Sequence, residues 1–124
     1  MYNRMTPDRE LLRLYSEGGD EAAFGELVRR HLPVVYAAAL RLLPGHAELA
    51  KDVAQEVFTD LARKALWLSA HPTLVGWLHT STRFRASKAI RAESRRQARE
   101  QNAFMPDHTT SSSTSDLPWE QLRP

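Results

Sequence analysis

Asp52, Gln55 and Glu56 fall at i, i+3 and i+4 in the run Asp52-Val53-Ala54-Gln55-Glu56-Val57-Phe58. On a helix these positions share a face. Two carboxylates and an amide there can accept charge-assisted hydrogen bonds from the arginines of a partner helix. The plainer alternative is ordinary polar helix surface. A second feature has the opposite sign. Residues 83–99 hold Arg83, Arg85, Lys88, Arg91, Arg95, Arg96 and Arg99 against a single acid, Glu93. That segment carries +6, so a chain of net charge +2 is −4 everywhere else. A basic stripe on an otherwise acidic chain is the footprint of a polyanion binder. The alternative, a solvated helix face, usually mixes signs, and this one does not.

Covalent and metal chemistry find no support. His31, His46, His71, His79 and His108 form no i, i+4 pair and no His-Glu-x-x-His pattern, so no metal site is expected. There is no cysteine, which removes disulfides and thiolate zinc sites. The glycines are scattered, with no phosphate-cradling loop, and no paired acids fall in a predicted pocket. The chain reads as a binding protein without cofactor, not an enzyme.

The elements that must carry these residues are helical. Thr6-Pro7-Asp8 predicts a helix start, with Thr6 as cap and Pro7 at the first helical position. Leu11, Leu12 and Tyr15 follow, and Gly18-Gly19 ends the helix. Asp20 caps a second helix whose apolar positions run from Ala23 to Leu42. Pro33 lies inside it and predicts a kink or break near Arg29–Arg30. Pro44-Gly45 stops it. A third helix starts near Ala47, with one stripe of Leu49, Ala50, Val53, Ala54, Val57, Phe58, Leu61 and Ala65. Phe58 belongs to that core. Ser69–Pro72 reads as a loop, and a fourth helix spans about Thr73 to Arg99. The expectation is an all-α compact bundle of about four helices.

With 124 residues the chain fits one domain, here residues 1–100. Residues 101–124 include the low-complexity run Thr109–Ser115 and read as a flexible Ser/Thr-rich linker. No apolar run approaches the length of a membrane span, and the N-terminus lacks the apolar core of a signal peptide. A soluble cytoplasmic protein without membrane contact is expected.

Asp-x-x-Gln-Glu followed by Phe58, then Gly76-Trp77-Leu78, then the arginine run, resembles in order and spacing region 2 of a bacterial sigma factor. The likeness spans roughly residues 8–100 and is closest to the extracytoplasmic-function (ECF) group. It implies that Asp52, Gln55 and Glu56 contact core RNA polymerase, docking on the clamp helices of its largest subunit. It implies that the domain recognises and melts the promoter −10 element and captures the non-template strand as single-stranded DNA. Gly76-Trp77-Leu78 is similar to the melting segment. Primary sigma factors carry two adjacent tryptophans there, and Leu78 at the second place implies weaker intrinsic melting. Trp77 is read both as core packing and as a DNA contact. ECF factors break the last helix with a short loop, here Ser81 to Lys88, that holds one flipped base. They often carry asparagine near the position of Phe84. Phe84 can stack a base or pack on the second helix. Lys64 and Leu68 match positions that wall the same pocket, with Ser81. Arg83, Arg85, Lys88, Arg91, Arg95, Arg96 and Arg99 would contact phosphates, which position without specifying.

The resemblance further implies a second domain for the −35 element beyond the linker, so that the chain reads as a truncated or proteolytic piece, and an anti-sigma factor as a possible regulator. Two other readings stay open: a helical regulator of duplex DNA, and a protein-interaction adaptor with a basic tail.

Overall fold

The computed structural model describes residues 4–71 and 73–103, so the expected 101–124 linker falls almost wholly outside the described residues. Among the described residues five helices form: α1 (Asp8–Gly18), α2 (Glu21–Leu42), α3 (Ala47–Arg63), the single-turn-plus α4 (Ala65–Ser69) and α5 (Leu74–Ala103). The all-α expectation holds. The helix count differs by one, because Lys64 leaves the helical path and splits the expected third helix. Ser69, expected in a loop, closes α4.

The helix ends follow backbone chemistry. Asp20 accepts from the Ala23 N–H at 3.1 Å, which satisfies one of the orphan donors of α2. Gly19 takes φ 65° and its N–H returns to the last turn of α1, a left-handed conformation that glycine adopts without a Cβ penalty. Gly45, at φ 80°, turns the chain between α2 and α3. The start of α1 corrects the expected cap: Pro7, not Thr6, occupies the cap position and contributes no side-chain bond. Pro33 does not break α2, which is helical throughout Glu21–Leu42. Pro33 itself faces solvent. Leu32 and Val35 beside it are buried, and this packing on both sides holds the helix across the missing N–H.

The core lies where the apolar sides of α1, α2, α3, α4 and the first half of α5 meet, with Leu11, Leu27, Leu32, Val53, Leu61 and Leu68 almost fully enclosed. Each such leucine stabilises the fold by about 1.5–3 kcal/mol relative to exposure. Phe58 is buried as expected. Past Ile90 the residues of α5 are mostly exposed. At 1.5 Å per residue its 30 residues extend about 45 Å.

A polar clasp ties α1 to α2. His31 Nε2 donates to Asp8 at 2.8 Å, Arg30 donates to the same carboxylate at 3.1 Å, and Arg30 Nε reaches Glu26 at 3.0 Å. The hydrogen bond from His31, and then the charges of His31 and Arg30, hold the Asp8 carboxyl below its ordinary 3.8 although burial works against them. A depressed carboxyl stabilises the fold fully above its unfolded pKa, and that contribution is lost as pH falls through the folded value. Asp8→Asn should therefore cost about 1–2 kcal/mol at pH 7. The gap should close as pH falls through the lowered value of the Asp8 carboxyl. Thermal melts by circular dichroism across that range check it. A gap that persists in acid would place the stabilisation elsewhere.

Candidate nucleic-acid and partner interface

α3 presents its acceptors as the spacing requires. Val53, Ala54 and Val57 are buried beneath, while Asp52 and Glu56 are exposed and Gln55 is half-buried. Neither Asp52 nor Glu56 has a cationic partner among the described residues. Partial burial, and then Glu48 one turn earlier, push the Asp52 carboxyl above its ordinary value. A carboxylate that makes no ion pair with the described residues gains from an arginine brought to it. Asp60, two turns on, is different. It accepts both Arg85 Nε and Arg85 Nη2 at 2.9 Å, a bidentate fork that locks α3 to α5.

That pairing fixes how the two helices run. Asp60 faces Arg85, while Asp52 and Glu56 share an open groove with Lys88, Arg96 and Arg99 further along α5. The helices are therefore antiparallel, and Lys64 falls about level with Ser81.

α5 is continuous from Leu74 to Ala103, so the loop expected across Ser81–Lys88 does not form. Leu78, Thr82 and Ala86, spaced by four, are all buried. Thr82 satisfies its hydroxyl by donating to the Leu78 carbonyl at 2.7 Å. With Arg85 clamped to Asp60 in the same turns, this stretch is pinned as helix. An unbroken helix creates a feature the sequence reading missed. Trp77, Ser81, Phe84, Lys88, Arg91 and Arg95 recur at alternating steps of four and three, so they form one stripe along α5.

The stripe is graded. Trp77 is half-buried and packs against the core; Ser81 is half-buried. Phe84 is 57% exposed and is not one of the side chains packed against the core. Lys88 Nζ lies 5.3 Å from its ring centroid, within cation–π range. Arg91 and Arg95 are exposed with no ion-pair partner among the described residues. Arg83 is exposed just off the stripe, and Lys64 is exposed in the α3–α4 turn.

Three residues expected at the DNA interface have partners or burial inside the domain. Leu68 is fully buried, and the groove it lines is shared with Leu12, His71 and Leu74 rather than with Ser81 and Phe84. Arg85 is committed to Asp60 and is not a free phosphate ligand. Arg96 is held by Glu93 at 2.6 Å and by Glu100, an i−3 and i+4 arrangement that the sequence did contain. Two further residues went unnoticed. Trp67 is 52% exposed on α4, and His71 stacks on it at 3.9 Å between centroids. Among the described residues no cluster of His, Asp and Glu could hold a metal ion, and no helix is long and apolar enough to cross a membrane.

One helix of the domain thus presents an acidic face, and another an aromatic-to-basic track. Residues 27–96 match the family described as Sigma-70 region 2, and the chain belongs to that family. No curated protein and no solved structure matches it. Family membership assigns the sigma-factor role: RNA polymerase binding and recognition of the promoter −10 element, in a family of transcription factors rather than enzymes.

Proposed function

We propose that this domain is an ECF-type region 2, docking on the polymerase clamp helices through Asp52, Gln55 and Glu56 and taking up the melted non-template strand along α5. The exposed Phe84 ring, with Lys88 beside it midway along the stripe from Trp77 to Arg95, carries the DNA half of this reading. Opening duplex costs about 1.4 kcal/mol per step. A base stacked on an aromatic face recovers roughly 1–3 kcal/mol. Capture of even one or two bases thus offsets much of local opening. Leu78 supports the ECF assignment. Its side chain is buried, so only one aromatic, Trp77, is offered where primary factors have two, and intrinsic melting is weak. Lys88, Arg91 and Arg95 hold phosphates downstream of Phe84, with Arg83 and Lys64 flanking. Leu68 and Arg85 act from behind, through packing and through α3.

The aromatic and the cations should fail differently. Lys88→Ala should weaken single-stranded binding alike for all sequences and lower the salt slope by about one. Phe84→Ala should cost about tenfold in affinity, concentrated at one position of the strand. Fluorescence titration of oligonucleotides varied one base at a time, at two salt concentrations, separates the two. Equal, sequence-independent losses would leave a basic surface and no base contact.

A further inference from the structure

We infer that Trp67 is a second base-stacking platform for the single strand, at the α4–α5 corner and separate from the stripe on α5. The inference rests on the DNA reading above. Tryptophan has the largest apolar face of any side chain, and half-exposing it has a cost that nothing in the packing of α4 requires. Ala65 and Leu68 already supply the buried side of that short helix. Trp67 and its neighbour Leu66, 64% exposed, point the other way.

The indole is also held. His71 lies against it at 3.9 Å with ring planes only 17° apart. His71 Nδ1 approaches the Trp67 carbonyl at 2.7 Å. A carbonyl can only accept, so Nδ1 carries the proton and donates, which fixes the imidazole plane under the indole. One face of Trp67 is thus backed by a ring that is anchored to the Trp67 backbone. This is the pre-organisation that makes a stacking surface cheap to use.

The charges nearby suit a polyanion. Arg63 and Lys64 immediately precede α4, are exposed, and have no acidic partner among the described residues. The nearest acid on α3, Asp60, is already neutralised by Arg85. α4 is followed by α5, whose first residue, Leu74, comes seven residues after Trp67. From there Phe84 is ten residues, about 15 Å, down the helix. That is the length of about four stacked nucleotides. A platform at Trp67 therefore requires a strand that runs at least that far from Phe84 and Lys88, past the start of α5.

The test uses the whole chain and a single-stranded oligonucleotide long enough to span both sites, with Phe84→Ala and Lys88→Ala as companions. Trp67→Ala should reduce affinity about tenfold, with the salt slope unchanged. Trp67→Phe should retain most of the binding, and His71→Ala should fall between. Shortening the oligonucleotide from one end should abolish the difference between Trp67→Ala and wild type while leaving the Phe84 effect intact. Wild-type affinity for Trp67→Ala, with Phe84→Ala and Lys88→Ala both impaired, would overturn the platform and leave the proposed function standing. Indifference to all three substitutions would overturn both. Unchanged DNA binding with weakened binding of the clamp-helix fragment would reassign Trp67 to a protein contact.

Discussion

Asp52→Lys should lower affinity for the isolated clamp helices of the polymerase largest subunit by about tenfold or more, and Asp52→Lys with Glu56→Lys by about a hundredfold. Charged hydrogen bonds are worth about 1.5–3 kcal/mol each, and 1.4 kcal/mol is tenfold. Reversal adds repulsion to loss. Both side chains are exposed on a helix whose buried side is formed by other residues, so the fold should survive, which near-ultraviolet circular dichroism can verify. The free domain also sets a pH dependence. Burial raises the Asp52 carboxyl, and an arginine partner favours its charged form. Binding should therefore weaken as pH falls through that raised value, and Asp52→Asn should show a flatter profile. Isothermal titration at several pH values reads both effects. A folded Asp52→Lys protein that binds like wild type would remove α3 from the polymerase contact.

Asp60→Ala should be the most damaging single change outside the apolar core. It strands the Arg85 guanidinium, whose side chain is only 24% exposed, and the expected loss is about 2–3 kcal/mol of stability. The functional consequence is larger than the stability change. Asp60 and Arg85 couple α3 to α5, the helices proposed to face polymerase and DNA, and loosening them should weaken both interactions together. Asp60→Glu, which keeps the charge at the wrong reach, should fall between. Arg85→Ala alone should reproduce the stability loss, and the double variant should be no worse than the sum of its parts and better if the two act as a pair. If Arg85→Ala lowers DNA affinity without lowering stability, Arg85 is a phosphate ligand after all.

What the sequence made legible follows from what is local. Apolar steps of three and four drew the buried side of α3 from Ala50 to Leu61, the Asp20 cap and the glycine stops at Gly19 and Gly45 fixed ends, and Phe58 was placed in the core. The split at Lys64 was hidden because Leu61, Ala65 and Leu68 keep the helical spacing across it. Pro33 announces a lost hydrogen bond but not the packing that keeps α2 unbroken across it. The pairing of Asp60 with Arg85 joins residues 25 apart in sequence, beyond any local pattern. It withdraws one arginine from a stripe that looked uniform. The expected base-holding loop came from resemblance alone. Leu78, Thr82 and Ala86 could have argued against it, since their spacing by four marks one buried line through the segment. Trp67 gave no signal because exposure of a tryptophan is not written in its neighbours.

Strand preference tests the central claim most directly. The wild-type chain should be titrated at moderate salt with three forms of a promoter −10 sequence: non-template strand, template strand and duplex. The non-template single strand should bind tightest, with the preference reduced by Phe84→Ala. Tighter binding to duplex would mean that α5 reads a groove rather than an opened strand. Absence of binding to all three would leave the basic stripe to an acidic protein partner and contradict the account.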